Sequence, residues 1–156
     1  MSVQTRKITW VRNVAAVLLL GASGSALAGF DFVFAPNISG GFGNFRWDVN
    51  VENAVAVANP ELTLFRGSTY SLHANTTPVH PFWIKTSPST GAVNAYFGAE
   101  LTGSPPNGLT AAATLTFTPG ASTPDTLYYD CGNHIEMQGV IHVITNVIFV
   151  DGFDGP

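Results

Sequence analysis

Seven short runs of β-forming residues, each closed off by a turn cluster, leave this chain few ways to fold. The runs are "FDFVF" (30–34), "FRWDVNV" (45–51), "LTLFRGSTYSLHA" (62–74), "HPFWIKT" (80–86), "AATLTFT" (112–118), "TLYYDC" (126–131) and "GVIHVIT" (139–145). Between them stand "PNISGG", "SPSTG", "TGSPPNG" and "TPGASTPD", whose Gly, Pro, Ser and Asn residues favour turns. Period-two alternation puts Leu62 and Leu64 on one face and Leu115 and Phe117 on another. Only "VENAVAVA" (51–58) invites a helix, and "NISGGFGN" (37–44) reads as a Gly-rich hairpin or loop. Charged residues are scarce at 10%, so most of each run can be buried. Strands at this spacing predict an all-β sandwich of about seven to eight strands in one domain.

The leading segment has a different composition. Arg6, Lys7 and Arg12 precede an apolar stretch from Val14 to Leu20, and "ALA" at 26–28 offers small residues at a cleavage site. This is the plan of a secretory signal, with an apolar core shorter than the roughly 20 residues that span a bilayer. The expectation is a signal peptide over 1–28, a folded domain over 29–148 and a short acidic tail over 149–156. The mature protein is then exported, periplasmic or secreted, with no membrane span.

Cleavage would leave ten acids against three bases, Arg46, Arg66 and Lys85, a net charge of −7. No basic patch remains to neutralise phosphates, which argues against nucleic acid. An acidic surface of this kind suits a basic protein partner.

Cys131 is the only cysteine. In an oxidising compartment cysteines usually pair, so a lone one points to intermolecular pairing, a reactive thiol or a bound metal. Its neighbours favour metal. The segment "LYYDCGNHIEMQG" (127–139) places His134 and Met137 directly behind it as C-x-x-H-x-x-M. A thiolate, two imidazoles and a weak thioether form the donor set of a trigonal copper electron-transfer site. Cys131 ends a strand, and the loop after it can turn back around the same ion. The second imidazole must come from His73, His80 or His142. His80 is preferred because it follows a loop and precedes an apolar strand. His73 is the reserve, and His142 is expected to pack or face solvent. Asp130, next to Cys131, should point to the opposite face of its strand. No G-x-S-x-G or H-E-x-x-H motif is present, so no competing catalytic set is in view.

The segments "NPELTLFRGSTYSLHANTTPVHPFWIKT" (59–86) and "TLTFTP…PDTLYYDCGNHIEMQGVIHV" (114–143) resemble the plastocyanin/azurin-type cupredoxins, the exported bacterial blue copper proteins. That resemblance implies a Greek-key β-sandwich with one copper ion near one end, cycling between Cu(I) and Cu(II). It implies His80, Cys131 and His134 as equatorial ligands and Met137 as the axial one. Only Ile135 and Glu136 separate His134 from Met137, fewer than in many plastocyanins, which makes Glu136 an alternative in that position. It also implies a carrier of single electrons between redox protein partners; three strong donors and a weak one leave no open position for a substrate, so no enzyme is expected, and the expected state is a monomer. A copper-handling protein without electron shuttling, or a purely structural β-sandwich, are the other readings. Pro81 stands where relatives often carry Asn, and it has no N–H to donate to the cysteine sulfur. A lower reduction potential is expected from the loss of that donor.

Overall fold

In the computed structural model the described residues are 31–51 and 55–145, together with the backbone of Val17–Leu18. The proposed tail over 149–156 and nearly all of the proposed signal over 1–28 lie outside them. Among the described residues there are eleven strands and no helix.

Eight of the strands carry the sandwich: β2 (Phe32–Asn37), β3 (Arg46–Val51), β5 (Leu62–Phe65), β6 (Tyr70–Ala74), β7 (Phe82–Lys85), β9 (Ala113–Phe117), β10 (Thr126–Cys131) and β11 (Gln138–Ile144). The other three are two-residue pieces, β1 (Val17–Leu18), β4 (Val57–Ala58) and β8 (Leu101–Thr102). The long run over 62–74 is two strands. Gly67 takes a positive φ of 82° between them, a conformation that glycine adopts without a Cβ clash, and the chain crosses to the other sheet there. The stretch at 51–58 is not helical where it is described: Val57 and Ala58 pair with Val49 and Asp48 of β3. The "NISGGFGN" segment closes a hairpin in which Asn37 pairs with Arg46.

One sheet has the order β1-β5-β11-β10-β7 and the other β4-β3-β2-β6-β9-β8. Most neighbours are antiparallel, but β5–β11 and β2–β6 run parallel. Repeated crossings between the sheets make a Greek-key-type sandwich. β1 is parallel to β5 at the rim, so removal of the leading segment would leave β5 as that edge.

Alternation works as the sequence predicts. Leu62, Leu64, Leu115, Phe117, Leu127 and Tyr129 all point inward and are buried. The sheets meet through aromatic contacts. Phe34 of β2 lies 4.6 Å from Phe82 of β7 and 5.0 Å from Tyr129 of β10, and Trp47 of β3 lies edge-on to Phe82 at 5.4 Å. Tilted and edge-on rings of this kind add to the gain from area burial alone. Tyr129 also donates its hydroxyl to the Pro60 carbonyl at 2.6 Å, which satisfies the one polar atom it brings into the core.

The free side of β7 is occupied by its own chain. Phe82 exchanges two backbone hydrogen bonds with Leu109 at 2.8 and 2.9 Å. At Ile84 the side-chain amide of Asn107 accepts from the N–H at 2.9 Å and donates to the carbonyl at 2.7 Å. This cover passes next to the end of β7 that leads into the site.

Candidate metal centre

β7 and β10 are antiparallel neighbours in which Cys131 pairs with Phe82. His80 precedes Phe82 by two residues, so this register brings His80 and Cys131 to the same end of the sheet. Cys131 is the last residue of β10 and follows Leu127 and Tyr129 on the inward face, which leaves it fully buried.

The loop after Cys131 folds back on itself. The Met137 N–H donates to the His134 carbonyl at 3.0 Å, and the Cys131 N–H donates to the Met137 carbonyl at 2.9 Å. The six residues from Gly132 to Met137 therefore form a closed turn with Cys131 at its base. Gly132 is required there: a Cβ would lie 2.8 Å from Trp83 Nε1 and 3.1 Å from Pro81 Cγ.

Three side chains converge. His134 Nδ1 lies 3.6 Å from the Cys131 sulfur and His80 Nδ1 lies 3.9 Å from it. The two imidazoles are 4.7 Å apart between centroids, and all three donor atoms lie within 4.8 Å of one another. Both rings turn a nitrogen toward one sulfur, an arrangement suited to a shared ion. Met137 is buried and tied to Cys131 through its backbone. Glu136 is not part of the three-residue cluster; its carbonyl accepts from Asn59 Nδ2 at 3.0 Å. Neither of the other histidines belongs to the cluster. His73 bonds Thr114 Oγ1 at 2.9 Å and Asn75 Oδ1 at 3.0 Å, and half-exposed His142 pairs with Glu61 at 3.2 Å.

Several residues that hold the site carry no sequence signal. His80 is fixed by a turn in which its N–H donates to the Thr77 carbonyl at 2.9 Å, and its own carbonyl accepts from the Thr76 hydroxyl. Asn133 Nδ2 donates to the Val79 carbonyl at 2.9 Å, joining the two ligand loops. Phe45 lies edge-on to both imidazoles, 4.9 Å from His134 and 5.7 Å from His80, and Phe42 lies 6.3 Å from His134. The rings that lie edge-on to the histidines come from the β2–β3 hairpin. No spacing rule links that hairpin to a loop some 90 residues later.

The electrostatics suit a neutral nitrogen donor at His80. Burial, and secondarily the charge of nearby His134, holds the His80 imidazole below its ordinary value. Burial pushes the Cys131 thiol up, with the charges of Asp130 and Glu136 adding to the effect. Backbone N–H groups of Asn133 and His134 act in the opposite sense by hydrogen bonding to the sulfur. Pro81 contributes no N–H, yet the sulfur keeps these two donors from its own loop. A soft cation replacing the thiol proton would occupy a donor set of one sulfur and two imidazoles, the chemistry preferred by copper.

No protein-family model matches the chain, and no curated protein matches it. Among solved structures it is similar to rusticyanin from Thiobacillus ferrooxidans, at 21% identity over 72% of this chain and 75% of that one, with a TM-score of 0.40. The reduced form of rusticyanin gives 21% identity over 72% and 77% of the two chains, with a TM-score of 0.42. A variant of the multicopper oxidase McoA from Aquifex aeolicus gives 14% identity and a TM-score of 0.40, with 72% of this chain covering 26% of that one.

Proposed function

We propose that this chain is a cupredoxin-type blue copper protein that carries single electrons between redox partners outside the cytoplasm. The observation that carries the proposal is the buried Cys131 sulfur with an imidazole Nδ1 from His134 and another from His80 at 3.6 and 3.9 Å. His80, Cys131 and His134 would hold the ion as strong donors, with Met137 as a weak fourth. Copper bound there supplies a Cu(I)/Cu(II) couple.

The protein's own residues favour a carrier over an enzyme. The donor groups are already gathered, so little needs to move when the charge at the site changes. Phe45, edge-on to both imidazoles, and buried Phe82, the cross-strand neighbour of Cys131, keep its inner side apolar. His134 is less buried than His80, so the site meets solvent through the His134 ring and the exposed Phe42 beside it. The signal-like leader over 1–28 supports export, and the acidic surface supports a basic redox partner.

The test is an absorption titration of the purified protein with Cu(II), alongside Cys131→Ser and His80→Ala, followed by voltammetry. An intense visible band that is lost in Cys131→Ser, together with a reversible one-electron wave, is the expected result. A thiolate band without a reversible wave would favour copper handling. A colourless complex, or binding indifferent to His80→Ala, would overturn the proposal.

A further inference from the structure

The outer face of β7 and β10, behind the site, buries two opposite charges. Lys85 and Asp130 are both fully buried, and Lys85 Nζ lies 3.0 Å from Asp130 Oδ1. Asp130 faces away from the core, as strand alternation requires, but it is not solvated. The segment from Ser87 to Ala95 covers it. Lys85 Nζ donates to the Ser89 carbonyl at 2.6 Å, and the Ser89 N–H donates to Asp130 Oδ2 at 3.3 Å. Asp130 Oδ1 accepts no well-aligned hydrogen bond, and the ammonium 3.0 Å away offsets part of the cost of burying the carboxylate.

The same covering segment grips the residue after Cys131. The Gly91 N–H donates to the Gly132 carbonyl at 2.7 Å, and the Gly132 N–H donates to the Pro81 carbonyl at 2.9 Å. Gly91 has a positive φ of 59°, which lets the segment turn back toward Gly132. Asp130 and Gly132, one on each side of Cys131, are thus both bonded to a loop that Lys85 holds down. A buried ion pair is costly to desolvate, and a well-packed apolar pair often serves stability equally well. Its position around a single residue therefore calls for a role beyond stability.

We propose that Lys85 and Asp130 are positioning residues for Cys131, clamping the strand end so that the sulfur keeps one place against the two imidazoles. The spectroscopic part of this inference rests on the copper reading above; the mechanical part does not. The clamp works through four links: ammonium to carboxylate, ammonium to the Ser89 carbonyl, Ser89 N–H to the carboxylate, and Gly91 to Gly132. It acts from the face opposite the ligands and touches none of the three donor atoms.

The test compares wild type with Lys85→Met/Asp130→Asn, a charge-free pair of similar volume that is expected to fold. Lys85→Met/Asp130→Leu, an apolar pair, is the second variant should the first fail to fold. The first readout is alkylation of Cys131 by iodoacetamide in the metal-free protein, corrected for global stability measured by urea unfolding and, because the Asp130 charge acts on this thiol, for its ionisation read from the pH dependence of the rate. Because the sulfur is buried, alkylation reports local opening, and an increase of about tenfold is expected. The second readout is the position and relative intensity of the Cu(II)–thiolate bands, which a merely structural pair would leave unchanged and which are expected to shift. Corrected alkylation equal to wild type, with unmoved bands, would overturn the inference. If wild type forms no thiolate band, the copper reading fails and alkylation alone decides the clamp.

Discussion

Asn59 and Glu136 are 77 residues apart in the chain and are joined by a 3.0 Å hydrogen bond from the asparagine amide to the glutamate carbonyl. The other end of the same amide accepts from the Trp47 N–H at 2.8 Å, and the Asn59 N–H donates to the Trp47 carbonyl at 2.7 Å. One side chain thus connects β3 of one sheet to the ligand loop that follows β10 of the other. Asn59 also has a positive φ of 43°, which asparagine tolerates better than most residues. Asn59→Ala is expected to destabilise the protein by about 2 kcal/mol, from unpaired backbone groups and backbone strain. Urea unfolding measures it, and a change near zero would show that the link is dispensable.

Gly139 sits under the ring of Tyr129, and a Cβ there would stand 2.2 Å from the Tyr129 hydroxyl oxygen and 2.3 Å from Cζ. The ring cannot retreat, since its hydroxyl is held by the Pro60 carbonyl and its face by Phe34. Gly139→Ala should cost about 1–3 kcal/mol by overpacking. Thermal unfolding of the metal-free protein is the measurement; an unchanged midpoint would mean that the ring has room to move.

Met137 separates two kinds of effect. It is fully buried, and leucine has nearly its volume, so Met137→Leu should change metal-free stability by less than about 1.5 kcal/mol. If its thioether is the weak fourth donor, its loss leaves Cu(II) less well supported, and the reduction potential rises. Voltammetry of variant and wild type tests this. Equal potentials would remove Met137 from the ligand set.

Glu100 gives the fold an acid-sensitive arm far from the site. Its own backbone N–H, Ser122 at 2.9 Å and Tyr96 at 3.1 Å hold its carboxyl below the ordinary 4.5. The unfolded chain therefore takes up this proton more readily than the folded one. Stability from Glu100 is complete above pH 4.5 and is lost as the pH falls through the lower folded value. Glu100→Gln should flatten that part of the stability curve. Denaturant midpoints between pH 5 and pH 3 would reveal it, and parallel curves would exclude it.

The sequence made the sandwich and the three converging donors legible for different reasons. Strand alternation is a local property, and C-x-x-H-x-x-M is a local motif, so both survive without knowledge of contacts. His80 was readable because a histidine between a loop and an apolar strand has few places to go. Lys85 was not. In "HPFWIKT" its position on the outer face predicts solvent, and only the returning segment from Ser87 to Ala95 buries it. Asn59, Thr76 and Phe45 were silent because their roles depend on which loops meet across the sandwich. The crossing at Gly67 was hidden inside a continuous β-like run because the turn needs only one positive φ.

Asn107 has a consequence for how copies of this protein meet. A terminal strand normally displays unanswered rungs that a second chain can extend, the usual start of edge-to-edge polymerisation. Here one amide imitates a neighbouring strand at Ile84, and Leu109 does the same with its backbone at Phe82. Sheet growth is blocked at the edge nearest the candidate metal centre. A visiting protein must therefore approach that end of the molecule through side chains, without adding a strand to β7.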